Sequence, residues 1–327
     1  MKIRITGFLT ILCLGGSATF GQPSTPGQTP AKAPGAFRFA PVDTYGMGVW
    51  EGDRPVLVYN HGVRTKQGNP PPKSHRSYIH PLYGLDGEVL TDDFPPDHLH
   101  HRGIFWAWPH VTVEGQHHDL WMQNGIEDHF DHWTQRQIDG KQAVLGALNN
   151  WLVGGEPVLR EELLIRVHRA DEKGRAIDLE LTWTPIDKPI ALGGAEGKSY
   201  GGLTFRFAPG EDTQITVPSG RSKEDLYMTN LPWADFTRLW TGRSAPSGAS
   251  VFVHPTHPDF PPTWLTRHYG ALCVGWPGVR PRTLAAARPV VCRYRIWVHR
   301  GRPDAKQIAQ AFAAYSAESS GPKSPTP

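Results

Sequence analysis

Eleven of the sixteen histidines fall between His61 and His132, less than a quarter of the 327 residues. Histidine at such density serves proton transfer, metal ligation or hydrogen bonding to polyols. The sharpest piece is Asp97-His98-Leu99-His100-His101-Arg102-Gly103. In an extended chain His98, His100 and Arg102 would share one side, and Asp97, Leu99 and His101 the other. In a loop all three imidazoles could converge, and Pro95 and Pro96 upstream favour a loop or a strand entrance. Three imidazoles and a carboxylate suit zinc and similar ions, so His98, His100 and His101 are the residues a divalent metal would use. The spacing follows no standard zinc pattern and no HExxH helix is present, so a metal-free site is the expectation.

Other polar groups surround this piece. Arg76, Tyr78 and His80 alternate, a strand pattern that puts them on one face. The segment Gln116-His117-His118-Asp119-Leu120-Trp121 follows the apolar run GIFWAW. Further on, Glu127, His129 and Asp131 would share one strand face, with Asp128, Phe130 and His132 on the other; as an edge strand, most of them would simply be solvated. Two later stretches can complete a pocket. Lys198-Ser199-Tyr200-Gly201-Gly202 leads into LTFRF, and Trp264, Arg267, His268 and Tyr269 lead into another apolar run. Paired carboxylates and histidines divide acid and base roles when their surroundings push their pKa values apart. The catalytic candidates are therefore His100 or His101 as proton donor and Glu127 or Asp97 as acceptor. The substrate-binding candidates are Arg76, His80, His98, Arg102, Trp121, Arg267 and Tyr269. Twelve Trp is a high count, and Trp offers a flat apolar face to the C–H face of a sugar ring. Trp121, Trp264 and Trp297 sit beside His, Arg or Asp and rank above the others as ligand contacts, although core packing is the ordinary role of any one of them.

Elements that could position these groups are mostly strands. Gly and Pro number 35 and 31, which suits short strands joined by tight turns. Ile177, Leu179, Leu181 and Trp183 alternate with polar residues, as do Leu203, Phe205 and Phe207. Cys292, Tyr294, Ile296 and Val298 share one face of a late strand. Arg293, Arg295, Trp297 and His299 share the other, which is either a concave binding surface or a solvated outer face. One helix is expected, capped by Asp304 and carrying Ala305, Ile308, Phe312 and Tyr315 at helical spacing. The fold class this predicts is mostly β, a large antiparallel β-sandwich with a C-terminal helix.

Residues 1–21 read as a signal peptide: Lys2 and Arg4, a short apolar core from Phe8 to Leu14, then small residues to Gly21. A Pro/Gly-rich linker is expected over 22–36, one domain over 37–318 and a disordered tail over 319–327. The protein is thus expected to be secreted or periplasmic, without membrane insertion once the signal is cleaved. Losing Lys2 and Arg4 lowers the formal charge from +3 to +1, which gives no electrostatic case for nucleic acid. Phosphate-binding GxxxxGK[ST], GxSxG and CxxC patterns are absent. Cys273 and Cys292 could pair after export or remain buried thiols.

The run SHRSYIHPLYGLDGEVLTDDFPPDHLHHRGIFWAW, with the later DLW, KSYGGLTFRF and LTRHYGAL, resembles a family of unknown function labelled PmoA-like, over nearly all of residues 37–318. The pattern carries over to His80, Pro81, Asp97, His98, His100, His101, Arg102 and Trp121. The label's literal sense, a membrane monooxygenase subunit, conflicts with the lack of an apolar run of about 20 residues outside the signal region. More distantly, the chain is similar to galactose-mutarotase-like sandwiches. That resemblance implies a concave sheet face that binds a sugar, with a His acid and a His or carboxylate base. The resulting expectation is a carbohydrate ligand and acid–base chemistry without a cofactor: an epimerase, lyase or hydrolase. The alternatives are a non-catalytic carbohydrate-binding module and a His-ligated, metal-dependent hydrolase or oxygenase.

Overall fold

A computed structural model describes residues 35–65 and 75–318. The expected signal peptide, nearly all of the linker and the expected tail lie outside the described residues. The alternating apolar pattern resolves into three antiparallel sheets. The first has nine strands in the spatial order Phe37–Asp43, Gly46–Glu51, Arg54–His61, Ser77–Leu82, Ile104–Ala107, Gly202–Arg206, Ala271–Gly275, Thr263–Arg267 and Thr229–Asn230. The second, also of nine, runs Gly220–Ser222, Gly210–Val217, Trp233–Trp240, Ser247–Val253, Val290–Arg300, Arg175–Pro185, Glu156–His168, Gln142–Val153 and Glu127–Ile138. A four-stranded sheet, Arg282–Leu284, Ile190–Gly193, His110–Val113 and Gln116–His118, was not foreseen from the sequence.

The two large sheets pack face to face, as the alternation predicts. Ile177, Leu179, Leu181 and Trp183 are all buried, opposite Ile296, Tyr294, Cys292 and Val290 on the neighbouring strand. Across the sandwich Phe207 stacks on Phe236 at 4.1 Å, and Trp108 packs on Trp151 and Trp183 at 5.4 and 5.1 Å. One carboxylate is enclosed in this core. Glu161 is fully buried and accepts hydrogen bonds from Asn149 Nδ2 and from the indoles of Trp151 and Trp183. Burial still holds its pKa above the ordinary value.

The helix forms where expected, over Ala305–Ala317. Asp304 and Gln307 make a reciprocal capping box, each side chain bonding the other's backbone N–H. Ile308, Phe312 and Tyr315 pack on Trp233, Phe252 and Trp297. That contact corrects the reading of the late strand's polar face, which is neither a concave binding surface nor simply solvated. Trp297 meets the helix, Arg295 is held by Asp178 and Glu318, and His299 is buried against Asp235. Cys273 and Cys292 are both buried and unpaired. No helix among the described residues is long and apolar enough to cross a membrane.

Candidate functional site

On the face of the first sheet that points away from the sandwich core, register lines up two rows of side chains. Thr204 pairs with Phe105 and Cys273, and Cys273 with Leu265; one step along, Ala271 lies between Arg206 and Arg267. Residues opposite one another in adjacent strands share a face, so these rows form a floor. Above it is a cavity of about 300 Å³, lined by Thr204, Leu265, Ala271 and Cys273 below and by three loops at its walls. The size is at the lower end of small-molecule sites.

The first wall is the histidine loop. Phe94 N–H donates to His101 O, His98 N–H to Pro95 O and His101 N–H to His98 O, so residues 94–101 turn tightly instead of extending. The loop alternative therefore holds, and His98, His100 and His101 all line the cavity. They do so as a stack. His98 lies flat on His101 (centroids 4.6 Å apart) and on Tyr269 (5.6 Å), while His100 meets His101 edge-on at 4.7 Å. Arg206 lies over the Tyr269 ring and bonds Asp97 at 2.6 Å, and Asp97 lies 3.0 Å from His98 Nδ1. Gly103 ends the loop at φ +32°, where a Cβ would collide with the Ile79 carbonyl.

A second wall is the turn Asp119–Asn124, closed by two backbone hydrogen bonds between its end residues. It presents Asp119, Trp121 and Met122. The third wall brings Lys198 and Tyr200, with Tyr200 packed on Trp121 at 4.7 Å. Gly202 lets this segment enter the sheet, since a Cβ there would sit 2.5 Å from Val274 O.

The titrating groups are tuned mainly by burial. Desolvation lowers His100 to about 4 and His101 to about 2, with neighbouring histidines adding to the effect, so both are neutral at pH 7. Asp119 is raised by burial, against hydrogen bonds from the Met122 and Trp121 backbone. Asp97 goes the other way: burial raises it, but His98 and Arg206 outweigh burial and hold it low. Cys273 is pushed up to about 11 by burial and receives the Thr204 hydroxyl at 3.1 Å, the setting of an unreactive thiol.

Of the residues singled out from sequence, His98, His100, His101, Trp121, Arg267 and Tyr269 meet at this cavity, with Asp97 just behind. Five others do not line it. Arg102 is fully buried, bonded to Asp93 and the Tyr78 hydroxyl and stacked on Phe94. His80 is bonded to Thr91 Oγ1 at 3.0 Å. Arg76 and Glu127 pair with each other at 2.6 Å and with His129, at the start of a different strand. Trp264 is fully buried, its indole N–H spent on Leu231 O. Sequence reasoning did not single out Asp119, Met122, Thr204, Leu265 or Cys273. Asp119 could have been found from its place two residues before Trp121. Thr204 could have been found from its alternation with core-facing Leu203 and Phe205.

Among the described residues no group of three His, Cys, Asp or Glu side chains is placed to hold a metal ion.

Residues 48–313 match a family of unknown function, DUF6807. The chain belongs to this family. The match agrees with the expected resemblance at that level and brings no activity with it. No curated protein matches this DUF6807 member. Among solved structures it is similar to a heparan sulfate lyase mutant, HepC, from Pedobacter heparinus (TM-score 0.40, 8% identity, 82% of this chain and 36% of that one). It is also similar to a putative kojibiose phosphorylase from the human microbiome (0.39, 10%, 84% and 32%) and to a galactose mutarotase related enzyme from Lactobacillus acidophilus (0.38, 9%, 80% and 97%). The chain spans about a third of the length of the first two.

Proposed function

We propose that the protein is an exported, secreted or periplasmic, carbohydrate-active enzyme whose site is the cavity between the histidine loop, the Asp119–Asn124 turn and Tyr200. The observation that carries this reading is the composition of one lining. The aromatic rings of Trp121, Tyr200 and Tyr269 stand beside neutral imidazoles, a half-buried carboxylate and two cations. Aromatic faces match the apolar side of a sugar ring, and the polar groups match its hydroxyls. Export rests on the N-terminal pattern of Lys2, Arg4 and the apolar run after them.

Proton transfer here is assigned differently from the pattern expected at first. His100 and His101 are not imidazolium acids near pH 7, so each offers one N–H donor and one acceptor nitrogen to hydroxyls. Asp119 has the role foreseen for Glu127: its raised pKa brings a carboxyl nearer the operating range of a general acid or base. A pool of oligosaccharides incubated with the protein and followed by mass spectrometry and NMR tests the proposal. A product formed by the wild type and lost in Asp119→Asn supports it. Binding without any product would instead favour the carbohydrate-binding module, a reading that the neutral imidazoles also suit.

A further inference from the structure

We infer that the ligand of this cavity is an acidic sugar, one whose carboxylate is held by Arg267, with Lys198 a second cation in the same lining. The inference rests on the carbohydrate reading above and narrows its substrate class. Two cations, Lys198 and Arg267, line the cavity, against one carboxylate, Asp119. The other charges nearby are already balanced, since Asp97 and Arg206 pair with each other at 2.6 Å.

Arg267 is prepared for a planar anion. Its guanidinium lies over the Tyr227 ring at 4.1 Å, which fixes its plane. Nη1 donates to Thr266 O at 3.2 Å, while Nε and Nη2 make no hydrogen bond with a described residue. Asp225 forms a long ion pair with the guanidinium, Nη1 to Oδ2 at 3.8 Å, while the other oxygen, Oδ1, accepts from the ring and backbone N–H of His268. A flat guanidinium with an open edge offers paired N–H donors, the arrangement that matches a carboxylate. Lys198 is exposed and has no ion pair among the described residues. Trp121 and Tyr200, packed on each other, line the same cavity, so a uronate could place its ring on the aromatics and its carboxylate on Arg267.

The test uses labelled full-length protein on a glycan array holding neutral, uronate-bearing and sulfated oligosaccharides, with the bound glycans then titrated by calorimetry. The expected result is binding to uronate-bearing glycans about tenfold tighter than to matched neutral ones. Arg267→Gln should erase that difference with an unchanged melting temperature, and Arg267→Lys should keep part of it. Preference for neutral or for sulfated glycans would overturn the inference while leaving the cavity as a sugar site. No glycan bound, or binding untouched by Trp121→Ala, would remove the carbohydrate reading itself and the inference with it.

Discussion

The imidazole of His98 lies flat on that of His101, with ring centroids 4.6 Å apart and planes 15° from parallel. Such a stack disfavours charge on both rings at once, because two imidazolium rings at that distance repel. His101 is nearly fully buried and is lowered to about 2, chiefly by desolvation; buried His75 is lowered to about 4 for the same reason.

A pH dependence of stability follows. Above pH 6.5 these groups are neutral in both the folded and the unfolded chain and add no slope. Below 6.5 the unfolded chain takes up protons that the folded one refuses, so stability falls with pH, down to about 4 for His75 and about 2 for His101. The expected loss is about 1.4 kcal/mol per pH unit for each. Urea melts between pH 7 and 5 measure it, and His101→Gln should reduce the slope by about one proton. An identical slope in that variant would contradict the buried neutral ring.

Asp119→Asn separates binding from turnover. Because burial raises the Asp119 pKa, a reaction using it as base should gain rate with pH through a limb above the ordinary 3.8. The variant should lose about two to four orders of magnitude in kcat and lose that limb, while ligand Kd changes only a few-fold. A rate profile still showing the limb would assign it to another group.

Trp121 is the aromatic that touches most of the site, packing on Phe105, Tyr200 and His101. Trp121→Ala should weaken carbohydrate binding by about tenfold or more, and Trp121→Phe should restore part of it. Calorimetric titration distinguishes the two. Equal affinities across wild type and both variants would place the ligand elsewhere.

Arg102→Met tests the opposite kind of residue. Its guanidinium is fully buried against Asp93, Tyr78 and Phe94, so removing it leaves Asp93 without its cation. The expected cost is about 3–5 kcal/mol of stability. Ligand affinity of the folded fraction should be unchanged, and a specific loss of affinity at constant melting temperature would return Arg102 to the site.

The sequence by itself determined the sandwich and its helix, because both rest on local periodicity. Apolar alternation at Ile177–Trp183 and at Cys292–Val298 can bury only one face, and Asp304 with Gln307 caps a helix in one way. It also marked three loops that meet at one cavity, since His98–His101, Trp121 with its neighbours and Lys198–Tyr200 carry polar groups that no core explains. What it could not decide was which of these side chains meet. Arg102 and His101 are adjacent in the chain, yet one is locked in an interior ion pair and the other lines the cavity, because residues 94–101 turn instead of extending. Glu127 read as a proton acceptor beside Asp97, but the pairing of Glu127–Ile138 at the far edge of the second sheet takes Glu127 to Arg76. The floor joins Thr204 to Cys273 only through register between strand residues 69 apart, for which the chain carries no local signal. Charge state was decided the same way: a histidine has a pKa near 6.5 until packing removes its water, and packing belongs to the tertiary structure alone.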